Sequence, residues 1–75
     1  MTSTVQLDLK GLNCPLPVLR ANKKMKELMR DDVLEIEVTD PAAPKDFETY
    51  CETTGNPLLT CDEADGVFTL RLQKG

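Results

Sequence analysis

The chain contains no histidine. A cysteine–histidine nucleophile pair is therefore excluded, and with it the usual route to thiol proteolysis or acyl transfer. The three cysteines, Cys14, Cys51 and Cys61, form no C-x-x-C pair. A closed structural zinc site needs four ligands, so cysteine and histidine alone cannot build one here, and neither a metal nor a cofactor is expected. An odd number of cysteines leaves at least one thiol outside any internal disulfide. Positive charge is also in short supply. A formal net charge of −4 argues against nucleic acid as a direct ligand, because such binding rests on a basic footprint. No run approaches the roughly 20 apolar residues that cross a bilayer. Met1-Thr2-Ser3-Thr4 has neither the basic nor the apolar region of a signal peptide. These absences predict a cytoplasmic protein with reduced thiols and no membrane contact. Its 75 residues suffice for a single domain, expected over 1–75, with a modest core.

What is present alternates with two regular periods. Residues 5–9 alternate apolar and polar, as do 33–38 and 67–72, and a short strand is expected over 58–61. Residues 15–30 read as a helix, with Val18, Ala21, Met25 and Leu28 forming one apolar stripe. Lys26 and Arg30 stand near its end, where the dipole favours cations, and Asp31-Asp32 closes it. A second helix starts near Pro44, carries Asp46 and Glu48 early, and stops at Gly55-Asn56-Pro57. Phe47, Tyr50, Cys51 and Thr54 share one side of it. The last two strands read as a hairpin with a longer loop over 62–66. The order is β-α-β-α-β-β. Three strands carry a polar face: Gln6 and Asp8, Glu35 and Glu37, Thr69 and Arg71. A sheet covered on both sides would be apolar on both, so both helices are expected on one face of a two-layer α/β sandwich. The first two strands are expected to run parallel.

The run Gly11-Leu12-Asn13-Cys14-Pro15-Leu16-Pro17 lies between the first strand and the first helix. It resembles the G-L-x-C-P-x-P signature of the TusA/SirA-like sulfur-carrier family. Asp40-Pro41-Ala42, followed by Lys45-Asp46 and then Cys51, is similar to that family's D-P-A segment leading into its second helix. The resemblance extends from about Leu7 to Gly75. It implies a mixed four-stranded sheet with two helices on one side. It also implies that Cys14 carries sulfane sulfur as a persulfide, with Pro15 and Pro17 as the motif prolines. The partners would be a sulfur-donor protein, of cysteine desulfurase or rhodanese-like type, and a sulfur-acceptor protein. One departure is visible: some members have a histidine soon after the second-helix cysteine, and Glu52-Thr53-Thr54-Gly55-Asn56-Pro57 has none.

Physical chemistry is compatible with that role. Sulfur transfer needs a thiolate. With Cys14 as helix N-cap, the positive dipole end would favour its anion. Pro15 is expected at the first helical position and Pro17 at the third, where no helical hydrogen bond is lost. The amide of Leu16 is then a candidate donor to the sulfur, although Pro17 disfavours helical geometry at Leu16 and can delay the helix start. Leu16 and Leu19 fall off the buried stripe and are expected to be exposed beside Arg20, Lys23 and Lys24, a surface that reads either as a solvated helix face or as a docking patch. Cys51 is expected to be buried, Cys61 to be structural or incidental, Met25 and Met29 to fill core or core edge, Asp40 to serve a turn or cap, and Glu35 and Glu37 to be solvated. A carrier needs no resident acid or base, because its partners can supply them; it is a sulfurtransferase only in the relay sense. Two other readings stay open: a regulatory or binding module of the same fold, and a redox switch pairing Cys14 with Cys51 or Cys61.

Overall fold

The computed structural model describes residues 3–75. Its elements are β1 (Thr4–Asp8), α1 (Leu16–Met25), β2 (Val33–Val38), α2 (Ala43–Thr54), β3 (Leu58–Ala64) and β4 (Val67–Gln73). The four strands form one mixed sheet in the order β1-β2-β4-β3. β1 runs parallel to β2, as a helical crossover requires, while β4 is antiparallel to both β2 and β3.

Strand periodicity decides which face is covered. Leu34, Ile36 and Val38 of β2 and Leu70 and Leu72 of β4 are buried, and they join Ala21 and Met25 of α1 and Phe47 and Cys51 of α2 in one core. Both helices therefore pack on the same face. Phe47 is fully buried, and burial of a side chain of that size contributes about 1.5–3 kcal/mol. The other face is polar but cross-linked. Arg71 Nε lies 2.8 Å from Glu35 Oε2, and Gln6 Nε2 donates to Glu35 Oε1 at 3.1 Å. Lys10 lies 3.7 Å from Glu37. Glu35 and Glu37 thus stand on the bare face as expected, but they are half-buried and paired rather than freely solvated.

Two of these boundaries depart from expectation. α1 ends at Met25 instead of running to residue 30, because Glu27 N and Leu28 N turn back to Lys24 O and Met25 O in tighter i→i−3 bonds. Met29 then points outward, 76% exposed, and fills no core. The chain is fastened after this turn by Asp32, a buried carboxylate that accepts from Ser3 N and Met29 N, each at 3.0 Å. In the last hairpin β3 continues to Ala64, leaving only Asp65 and Gly66 in the turn, with φ of 51° and 80°. Positive φ at both positions is the two-residue geometry that Asp-Gly favours, so the loop is short rather than long. β3 is an edge strand and almost wholly exposed.

Candidate functional site

The loop between β1 and α1 begins at Gly11, whose φ of 83° lies in the left-handed region. Its amide donates to Thr39 Oγ1 at 2.9 Å, tying the loop to the end of β2. Leu12 N returns to Leu9 O at 3.3 Å, and Leu16 N donates to Asn13 O at 2.9 Å, closing a turn around Cys14. The Cys14–Pro15 peptide bond is cis.

That turn shifts the helix start by one residue. Pro15, with φ −97° and ψ 12°, is the N-cap and offers no side-chain cap; Leu16 and Pro17 follow as the first two helical residues. Cys14 therefore precedes the cap rather than forming it. Pro15 is not the first helical residue, nor Pro17 the third. The Leu16 amide, bound to Asn13 O, does not serve the sulfur. Pro17 is buried, so it also packs.

Asp40 positions Cys14 from across the molecule. Its Oδ2 accepts from Cys14 N at 2.7 Å and its Oδ1 accepts from Ala42 N at 3.0 Å. One carboxylate thus holds the cysteine backbone and closes the turn that precedes α2. The N-cap of α2 is Ala42, with no side-chain cap bond, so of the turn or cap role expected of Asp40 it is the turn that is seen. These two backbone donors, Ala42 first and then Cys14, hold its carboxyl below the usual aspartate value.

The Cys14 thiol is exposed and free. It sits at the mouth of a groove of about 370 Å³ between α1 and α2, walled by Val18 on one side and Asp46, Thr49 and Tyr50 on the other. Behind the groove Tyr50 OH donates to Asn22 Oδ1 at 3.0 Å, pinning the helices together. The electrostatics reverse the sequence-based expectation. A hydrogen bond to the Asp46 carboxylate, desolvation, and the negative charges of Asp46 and Asp40 push the Cys14 thiol up from its ordinary value. Whole carboxylate charges outweigh the half-charge at a helix end, so these surroundings favour the thiol over the thiolate.

The other two cysteines differ. Cys51 is 7% exposed, and burial pushes its thiol up to about 11. Cys61 is exposed on β3, its thiol pushed up by desolvation and by Asp62, Glu48 and Glu63. Leu16 and Leu19 are exposed as expected, at 43% and 57%, on the helix that carries Arg20, Lys23 and Lys24. Lys24 lies 3.7 Å from Glu27, and the basic side chains border a second groove against β1. Among the described residues no three His, Cys, Asp or Glu side chains group as a metal ion would need, and no helix is long and apolar enough to cross a membrane.

Comparison with known proteins matches residues 5–74 to the family described as Sulfurtransferase TusA. A relative in Neisseria meningitidis serogroup A, provisionally named as a sulfur carrier protein, is 52% identical over 67 residues, covering 89% of this chain and 90% of its own. The sulfur carrier protein TusA of Allochromatium vinosum is 42% identical over 69 residues, with 92% and 91% covered. A crystal structure of a SirA-like protein from Desulfitobacterium hafniense superposes with a TM-score of 0.81 over 99% of each chain, at 25% identity.

Proposed function

This chain belongs to the sulfurtransferase TusA family, and we propose that it is a single-domain sulfur carrier that holds sulfane sulfur as a persulfide on Cys14. One observation carries this reading: of the three thiols, Cys14 alone is both exposed and held by its own backbone in a tied loop, through the 2.7 Å bond to Asp40. A carrier atom has to reach into a donor's site and then into an acceptor's, and a fixed, protruding thiol with no catalytic partner suits that task. The donor would be a protein persulfide and the acceptor a second protein, meeting in a reducing compartment such as the cytoplasm. The final product, whether thiolated tRNA, a sulfur-containing cofactor or oxidised sulfur, depends on those partners. Leu16, Leu19, Arg20, Lys23 and Lys24 form the docking surface in this reading. A redox switch through Cys51 is disfavoured, since a buried thiol pushed up to about 11 makes a poor partner in exchange.

Intact-protein mass spectrometry after incubation with a sulfane-sulfur donor tests the proposal. One added sulfur atom is expected, mapped to Cys14, absent in Cys14→Ser and retained in Cys51→Ser. A protein that gains no sulfur from any persulfide donor would be a binding or regulatory module instead.

A further inference from the structure

The groove beside Cys14 holds a carboxylate that the carrier reading leaves without a task. α1 contributes Pro15 and Val18 to this groove and no charged side chain; α2 contributes Asp46 and Tyr50 as its titratable groups. The loop before α2 adds Asp40, already committed to two backbone amides. Among the described residues no cation pairs with Asp46. Asp46 stands in the first turn of α2 and lines the same groove as Cys14, where its charge is among the causes that push the thiol up.

We infer that Asp46 restrains Cys14 in the empty protein: its carboxylate, in the same groove, keeps the proton on Sγ. This rests on the carrier reading above. The thiolate is the nucleophile, so an empty carrier whose proton rests against a carboxylate is quiet towards stray electrophiles. The uptake step balances with a persulfide donor, R–S–SH, and nothing else. Cys14 gives its proton to solvent, and its thiolate attacks the terminal sulfur. The Sγ–S bond forms, and the donor's S–S bond breaks with its electron pair on the donor cysteine sulfur. That thiolate then takes a proton from solvent. Cys14–SH and R–S–SH become Cys14–S–SH and R–SH, with no net oxidation. Once loaded, the ionisable sulfur lies one S–S bond, about 2 Å, farther along the side chain. The hold of Asp46 weakens with that distance, so the same residue restrains the empty carrier more than the loaded one.

The test first reads the empty thiol. Iodoacetamide alkylation at Cys14 is followed by peptide mass spectrometry from neutral to alkaline pH. Asp46→Asn keeps the side-chain size and removes the charge; its profile is expected to move to lower pH, with alkylation several-fold faster at neutral pH. Asp46→Glu restores a carboxylate and is expected to move the profile back. Slow alkylation of Cys51 in each variant reports an intact fold. Coincident profiles for the wild type and Asp46→Asn overturn the assignment. The second arm uses protein loaded with glutathione persulfide, where Asp46→Asn is expected to change persulfide alkylation less than it changes the empty thiol. Equal acceleration in both forms overturns the load-dependent restraint. A protein that shows the first shift but takes up no sulfur keeps Asp46 as the thiol's partner and refutes the carrier reading, so the two failures are separable.

Discussion

Cys51 and Gly11 are the residues whose surroundings fix a measurable consequence most directly. Burial raises the Cys51 thiol from 9.0 to about 11, so the folded state favours its neutral form. A folded value above the unfolded one adds stability that is complete below the ordinary value and disappears as pH climbs through the folded one. Urea midpoints are therefore expected to fall between pH 9.0 and about 11, and to fall less in Cys51→Ala; equal slopes in the two proteins would place the effect elsewhere. Gly11 presents the opposite case, a torsional demand without a steric one. A Cβ there meets nothing within 4 Å, yet φ is 83°. Gly11→Ala is expected to cost about 1–2 kcal/mol in chemical denaturation while leaving the fold unchanged. At this scale the exposed place of Cys14 between β1 and α1 was legible in sequence because its motif is local. Its surroundings were not: Asp40 lies 26 positions away, and only packing of α2 against α1 brings carboxylates near the sulfur, against the dipole argument.

Elements were legible where one periodicity ran unbroken between turn residues. β2 matched its alternation, and α2 stops at Gly55 with φ 79°, where its amide returns to Cys51 O at 2.9 Å. α1 was read too long because Leu28 and Met29 continue an apolar pattern that the backbone does not follow. Beyond the local i→i−3 bonds, a contact remote in sequence holds that end: Lys74 Nζ donates to Met25 O at 3.0 Å, and the αL residue Asp31, φ 74°, then redirects the chain into β2. An ammonium on a terminal helix carbonyl complements the dipole, and here it is a second donor to Met25 O beside Leu28 N. Lys74→Met keeps most of the stem and deletes the donor. It is expected to lower unfolding free energy by about 1 kcal/mol and to speed amide exchange in the last turn of α1. Normal exchange in that turn would show that the i→i−3 bonds alone terminate the helix.

On the scale of the whole molecule, sheet and helices divide the charge. The open sheet face holds paired acids and bases, whereas Arg20, Lys23 and Lys24 project from the helix that follows Cys14. A protein of net charge −4 therefore presents a local cationic surface on the helix that follows Cys14, the helix on which Leu16 and Leu19 are also exposed. Complementary charge acts mainly on encounter rate, and salt screens it over about 10 Å at 0.1 M. Replacing Lys23 and Lys24 by Glu reverses the sign of this surface without touching the core. With a protein persulfide donor, sulfur transfer to the double variant is expected to be several-fold slower at low salt, and the gap to the wild type is expected to close as salt rises. With glutathione persulfide, which needs no docking surface, loading is expected to stay close to the wild-type rate. A loss shared by both donors would mean that the substitutions disturb the Cys14 loop. A loss with the protein donor that salt does not change would mean that the apolar side chains, not the charge, make the contact.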